Sequence, residues 1–105
     1  MPTTEFVNRY FELAARPDNA GYLAQFAPDA VVEDEGHTYR GVDAIRDWRG
    51  AVPAVSYGVR DVQSVADETV AHVQISGDFP GSPVDLSFRF TFTGTGSIEA
   101  LAIRT

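Results

Sequence analysis

Tyr10 and Asp34 are the two residues of this sequence whose types and spacing suggest chemistry most directly. Tyr10 lies in the middle of an amphipathic segment, and Asp34 ends the strand-like run Ala30-Val31-Val32-Glu33-Asp34, 24 residues further on. A phenol on a helix and a carboxylate on the strand that packs beneath it can both face one small pocket. The phenol would donate a hydrogen bond to a developing enolate oxygen, and the carboxylate would accept a proton from carbon. The pair therefore predicts proton transfer on a carbonyl compound.

Both residues also have purely structural interpretations. Tyr10 can be a core aromatic residue whose hydroxyl reaches the rim of the core. Asp34 can begin a turn, since Asp34-Glu35-Gly36 is favourable turn chemistry. These alternatives remain open at the level of the sequence.

Composition limits the classes of protein to consider. The 105 residues are sufficient for one domain, spanning residues 1–105, with a core that needs no disulfide. A net charge of −7 argues against nucleic-acid partners and against an anionic membrane surface. There is no cysteine, and every basic residue is arginine, which excludes thiolate sites, lysine Schiff bases and a P-loop. With no membrane-spanning run or signal-peptide pattern, the expected location is the cytoplasm.

Two helices are predicted at the start of the sequence. The first begins at Thr3 or Thr4, repeats apolar residues at spacings of three and four, and is stopped by Pro17. The second is capped by Asp18 and ends before Pro28, and the residues that share its apolar face are Tyr22, Leu23 and Phe26.

A strand through Asp34, a turn at Gly36 and a return strand from His37 to Arg40 are predicted next. A third helix follows Gly41, with Ala44, Ile45 and Trp48 on one face, and is closed by Gly50 and Pro53.

The second half of the sequence has the pattern of a sheet. The most regular alternation of apolar and polar residues extends from Val84 to Thr93. The other predicted strands are Ser56–Val65, Thr69–Ser76 and Ser97–Arg104. Three helices against a four- to six-stranded antiparallel sheet make an α+β layer architecture.

The element order and three segments resemble the nuclear transport factor 2-like superfamily, in its SnoaL-like and ketosteroid isomerase branch. The segments are Tyr10-Phe11-Glu12-Leu13, Phe26 to Asp34, and Tyr39 to Ile45. The resemblance implies a cone-shaped fold, in which a curved antiparallel sheet wraps around the N-terminal helices and leaves an apolar pocket. It also implies a homodimer formed through the convex face of the sheet.

The resemblance further implies roles for individual residues. In ketosteroid isomerases a tyrosine of the first helix donates to the steroid oxyanion, and an aspartate of a Val-Glu-Asp segment is the base. Tyr10 and Asp34 match these two positions. The second oxyanion donor of that family, a protonated aspartate, falls on Phe88, which cannot donate a hydrogen bond. Asp85 is expected on the opposite face of the strand.

Further residues are candidates for the wall of the pocket. They are Phe26, Trp48 and Phe88, with His37 at the mouth as a second proton carrier. Each has an alternative interpretation. The three aromatic residues can be part of the core, and His37 can be an exposed loop residue. The spacing of His37 and His72 does not fit a metal site, and no cofactor is predicted.

Three functions are compatible with the sequence. The first is a proton-transfer enzyme, an isomerase, cyclase or dehydratase, acting on a small apolar carbonyl or polyketide- or steroid-like substrate. The second is a non-catalytic binding module for a small apolar molecule, and the third is a dimeric interaction domain with a filled core. Hydrolysis in the manner of epoxide hydrolases of this fold would require Asp34, Asp61 and Arg89 to come together.

Overall fold

A computed structural model describes residues 3–16, 19–51 and 55–104. The helices are α1 (Thr3–Ala14), α2 (Asn19–Leu23) and α3 (Val42–Ala51). The strands are β1 (Phe26–Asp34), β2 (His37–Arg40), β3 (Ser56–Val65), β4 (Glu68–Ser76), β5 (Val84–Phe92) and β6 (Ile98–Arg104). The predicted α+β class, with three helices in the first half of the chain and a mainly antiparallel sheet, is confirmed.

The strands form one six-stranded sheet in the order β2-β1-β6-β5-β4-β3. All neighbouring pairs are antiparallel except β1 and β6, which run parallel. The register shifts within β1, at Arg60 of β3 and at Glu99 of β6, and each irregularity increases the local bend. The result is a curved, open sheet with the helices on its concave side.

The core fills the space between α1 and the concave face. Val7, Tyr10 and Phe11 of α1 are buried, because the spacings of three and four place them on one side of the helix. The rings of Tyr10 and Phe11 pack against the inward side chains of β5. The distance between ring centroids is 5.0 Å from Phe11 to Phe88 and 5.1 Å from Tyr10 to Phe90. The alternation predicted for Val84 to Thr93 thus places the phenylalanines of β5 inward.

The second helix is shorter than predicted. It ends at Leu23, and Phe26 belongs to β1 rather than to the helix, so that prediction is wrong. Pairing decides the outcome, because Phe26 lies opposite Ile98 of β6 and the Ile98 amide donates to the Gln25 carbonyl at 2.8 Å. Pro28 is tolerated inside β1 because it falls in the register shift between Phe26 and Val31, where no ladder hydrogen bond is required of it.

The ends of two predicted helices cannot be compared with the structure. The predicted cap Asp18 and the predicted breakers Pro17 and Pro53 lie outside the described residues. Gly50 does not close α3, which continues to Ala51. No helix in the described ranges is long and apolar enough to cross a bilayer.

A tight turn fixes the end of β1. Glu35 and Gly36 both have positive φ angles, 52° and 79°, and they join β1 to β2 as a two-residue hairpin loop. In the resulting register Asp34 pairs with His37 on one side and with Ile103 on the other. The carboxylate is therefore held at the end of an internal strand and not on a loose loop.

Candidate active site

A cavity of about 860 Å³ lies between the concave face and the helices. Its wall is mainly apolar, and the aliphatic and aromatic side chains that line it include Val55, Ile75, Phe79, Val84, Leu86 and Ile103. The polar side chains on the wall come from several helices and strands, so different parts of the wall present different polar groups to the cavity. Apolar sites with a few placed polar groups are typical of small-molecule binding.

The side chain of Asp34 faces this cavity because of its position in β1. The inward residues of this strand alternate, with Ala30 and Val32 fully buried and Asp34 next in the series. Its Oδ2 atom accepts a hydrogen bond from Nε1 of Trp48 at 3.0 Å. Oδ1 makes no hydrogen bond to any of the residues that the structure describes. One carboxylate oxygen is thus held by the indole while the other is available to a ligand.

Tyr10 contributes a phenol that is paired with a second phenol. The hydroxyl oxygens of Tyr10 and Tyr22 are 2.7 Å apart, and both side chains are buried. Burial raises the pKa of both, while the positive charge of Arg49 opposes the shift. Both phenols are therefore neutral at physiological pH and able to donate.

Arg49 organises the polar end of the cavity. Its Nε donates to Asn19 Oδ1 at 2.9 Å, and its Nη2 donates to the carbonyls of Arg16 at 2.8 Å and Leu13 at 3.4 Å. The guanidinium carbon lies 3.8 Å from the centre of the Tyr22 ring, a cation–π contact. One side chain of α3 thus joins the end of α1 to the start of α2 and covers the Tyr22 ring.

Of the four residues expected in the pocket wall, two line the cavity and two do not. Trp48 and Phe88 line the cavity together with Tyr10 and Asp34. Phe26 does not, because its ring packs behind Tyr22 at a centroid distance of 5.4 Å. His37 is exposed and is not on the cavity wall, since β2 is an edge strand and His37 stands at its first position.

Three residues of the polar end were not identified from the sequence: Tyr22, Arg49 and Tyr57. Tyr22 has the spacing of a core residue in a short helix, and its hydrogen bond to Tyr10 depends on how two helices pack. Tyr57 lies on β3 in register with buried Ile75, which directs it to the concave side. Only the alternation along β3 could have indicated Tyr57, and the shift at Arg60 interrupts that pattern.

The arrangement required for epoxide hydrolysis is not formed by the residues considered for it. Asp61 pairs with His72 at 2.6 Å, and Arg89 pairs with Glu68 at 3.5 Å. Both pairs lie on the convex face, whereas Asp34 lies on the concave face. Asp85 is exposed and pairs with Arg60, on the face opposite Phe88 as predicted.

Comparison with known proteins gives one family and a set of related structures. The model of the SnoaL-like domain family matches residues 7–98. Protein SMa1630 from Sinorhizobium meliloti, whose proposed activity is that of a polyketide cyclase, is 39% identical with a TM-score of 0.85, over 99% of this chain and 95% of that chain. No curated protein matches the chain significantly.

Two more distant structures share the fold. The epoxide hydrolase/cyclase-like enzyme SalBIII, which acts in pyran ring formation in the polyether salinomycin, is 18% identical with a TM-score of 0.84, over 97% of this chain and 88% of that chain. RV0760c from Mycobacterium tuberculosis, in complex with estradiol-17beta-hemisuccinate, is 18% identical with a TM-score of 0.80, over 97% of this chain and 92% of that chain. At this level of identity the likeness concerns the fold alone.

Proposed function

Because the chain belongs to the SnoaL-like domain family, we propose that its cavity catalyses proton transfer on a small apolar carbonyl compound of the polyketide type. The reaction would be an isomerisation or a cyclisation that proceeds through an enolate. Asp34 would be the base and Tyr10 a donor to the enolate oxygen. One observation carries this proposal: a half-buried carboxylate and a neutral phenol line the same apolar cavity.

The proposed reaction begins at the free oxygen of Asp34. Oδ1 removes a proton from the carbon next to the carbonyl, and the electron pair of that C–H bond forms the enolate. The indole N–H of Trp48 holds Oδ2 during this step. The protonated Asp34 then returns the proton to another carbon in an isomerisation, or to the oxygen of the newly joined carbonyl in a ring closure. A positioned base of this kind accelerates proton transfer by about 10²–10⁴.

The tyrosine pair would stabilise the negative charge that develops on oxygen. Burial keeps both phenols protonated, and Arg49 lies against the Tyr22 ring. Either hydroxyl of the pair can donate to the other. If Tyr22 donates to Tyr10, the Tyr10 proton is free to point to the substrate. This assignment gives each phenol one hydrogen bond to donate.

The substrate class follows from the wall of the cavity and from the relatives. The apolar residues Leu86, Ile103 and Val84 would contact the carbon skeleton, and the polar residues would contact the carbonyl oxygen. The likeness to SMa1630, over nearly the whole of both chains, favours a polyketide-like skeleton. The volume of about 860 Å³ can enclose a ligand of several fused rings.

The base is tested with 2-tetralone, an apolar ketone whose α-protons exchange for deuterium at a rate that NMR can follow. Wild-type protein should accelerate the exchange, and Asp34→Asn should reduce the protein-dependent rate by about 10²-fold or more. The melting temperature should stay the same or rise, since a functional carboxylate is removed. Asp85→Asn is the matched control, because Asp85 is exposed, pairs with Arg60 at 3.6 Å and does not line the cavity.

The phenol is tested with equilenin, a fluorescent phenolic steroid that mimics an enolate intermediate. Its affinity should fall for Tyr10→Phe, which lacks the donor, and rise for Asp34→Asn, which lacks the repelling carboxylate. Binding without exchange of 2-tetralone would instead favour the non-catalytic binding module. No binding to any of the three proteins would favour the interaction domain.

We also propose that two copies associate through the convex face of the sheet. Val31, Ala100 and Ala102 lie on this face on the neighbouring strands β1 and β6, and all three are partly exposed. They give this part of the face an apolar surface that could meet a second copy. Sedimentation velocity should give twice the chain mass of 11.4 kDa, and Ala102→Arg should give the single chain.

A further inference from the structure

Phe88 leaves the oxygen site without its second expected donor. The ring is buried and packs at 5.0 Å from Phe11 and 6.2 Å from Tyr10 between centroids. No polar atom of this residue can reach a ligand. An enolate oxygen can accept two hydrogen bonds, and one lost donor in such a site costs about 10²–10³ in rate. Another donor on the cavity wall would restore the missing interaction.

Tyr57 meets the geometric requirements for such a donor. It lines the cavity, and its ring packs on Phe11 at a centroid distance of 5.4 Å, next to Phe88. Pairing of Tyr57 with Ile75, a buried lining residue, fixes the side chain on the concave side of the sheet. Both Tyr57 and Phe88 thus pack on the Phe11 ring.

The hydroxyl of Tyr57 is available to a ligand. It makes no hydrogen bond to a residue of the described ranges. Nor is it sealed in the core, because the described residues contain no fully buried side-chain polar atom without a partner. A phenol whose ring is packed and whose hydroxyl opens into an apolar cavity is positioned to donate to a bound oxygen atom.

The surroundings of Tyr57 keep its hydroxyl protonated. Burial raises the pKa of Tyr57, and the charge of Arg49 opposes the shift only in part. Tyr10, Tyr22, Tyr57 and Arg49 all line the cavity. The three phenols and the positive charge therefore belong to the same wall.

We propose that Tyr57 is a substrate-binding residue that donates a second hydrogen bond to the carbonyl or enolate oxygen, which the Tyr10–Tyr22 pair contacts from the other side. The proposal rests on the proposed function and extends it, since it identifies the group that compensates for Phe88. The preferred ligand then carries an oxygen atom able to accept two hydrogen bonds at one end of an apolar skeleton. Ketones, enolates and phenolates meet this requirement.

The test compares equilenin with 3-deoxyequilenin, which has the same skeleton without the phenolic oxygen. Tyr57→Phe should weaken equilenin binding by about 5- to 10-fold, the effect of one lost hydrogen bond, and change 3-deoxyequilenin binding by less than twofold. The phenyl ring retains the packing on Phe11, so the melting temperature should be unchanged. Tyr39→Phe is the matched control, because Tyr39 packs on Trp48 at 6.1 Å but does not line the cavity.

The outcomes separate this inference from the proposed function. An equal loss of affinity for both ligands would mean that Tyr57 acts through shape alone and would overturn the inference. So would an unchanged equilenin affinity in Tyr57→Phe, and the proposed function would stand if Tyr10→Phe and Asp34→Asn still shift binding as expected. A wild-type protein that does not bind equilenin would overturn both.

Discussion

At the scale of single residues, the hydrogen bond from Trp48 to Asp34 links a residue of the apolar cavity wall to the proposed base. The indole is buried at the end of α3 and donates to Oδ2, while Oδ1 has no partner in the described part of the chain. When a hydrogen bond holds one oxygen of a carboxylate, the orientation of the second oxygen is fixed as well. The orientation of the base controls the rate of proton transfer. In the proposed reaction Trp48 would therefore have two separable roles, as an apolar wall and as a positioning residue.

Trp48→Phe separates these two roles. The phenyl ring retains most of the packing against Tyr39 but cannot donate to Asp34. We expect the protein-dependent exchange of 2-tetralone to fall by about tenfold, the equivalent of one hydrogen bond of ~1.4 kcal/mol. Binding of 3-deoxyequilenin should change little. Undiminished exchange would mean that the carboxylate is aimed without the indole.

At the scale of elements, Arg49 connects the three helices above the cavity. Arg49→Met keeps the aliphatic stem and removes the hydrogen bonds to Leu13, Arg16 and Asn19. We expect a loss of about 2 kcal/mol in the free energy of unfolding, measured by urea denaturation, because one of these bonds is partly buried. Arg49→Lys should recover only part, since an ammonium lacks the planar fork.

The control for Arg49 is on the same helix. Arg46 pairs with Asp43 at 3.1 Å, and both side chains are more than half exposed. Arg46→Met should therefore change the free energy of unfolding by less than about 0.5 kcal/mol. Equal effects at the two positions would show that Arg49 does not join the helices.

The turn between β5 and β6 depends on a close approach to α1. Gly96 has a φ of +87°, and a Cβ atom there would lie 2.6 Å from the Phe6 ring, which packs on Phe92. Gly96→Ala should cost about 2–3 kcal/mol, because it adds a steric clash to an unfavourable backbone conformation. Gly81 has a φ of +86° with open space around it, so Gly81→Ala should cost only about 1 kcal/mol. Thermal denaturation of both variants gives the difference, and a similar melting temperature would contradict the clash.

At the scale of the whole molecule, the buried phenols make stability depend on alkaline pH. Burial raises the pKa of Tyr10 and Tyr22 above the ordinary value of 10.0, so above pH 10 the unfolded chain loses protons that the folded chain keeps. The stabilisation is fully present below pH 10 and declines as pH rises towards the folded pKa, by up to ~1.4 kcal/mol per pH unit for each tyrosine. Urea denaturation between pH 9 and 11.5 should show this decline. Tyr22→Phe should reduce its slope, and an identical slope would contradict the assignment.

The sequence predicted much of the fold and part of the site, for physical reasons that differ between residues. Val84 to Phe92 alternate without interruption, so their orientation follows from local pattern alone. Phe26 has helical spacing from Tyr22, yet its long-range pairing with Ile98 decides its structure. Local pattern therefore gave the opposite answer at this residue.

The same contrast applies to the cavity. Asp34 and Trp48 could be identified because a strand end and a helix face are visible in sequence. Arg49 could not, since its acceptors belong to α1, to Arg16 just after it and to the Asn19 side chain of α2. The hydrogen bond between Tyr10 and Tyr22 likewise exists only after packing.

The parallel pairing of β1 with β6 also has a consequence for how the protein is made. Glu33 and Arg104, which pair across these two strands, are 71 positions apart in sequence. A ribosome releases β1 long before β6, so the early strand has only its hairpin partner while the rest of the chain is synthesised. A nascent chain that stops before Ile98 would expose open edges on both β1 and β5, which invite pairing with other chains. Termination of synthesis before Ile98 would therefore yield a fragment that is prone to aggregate.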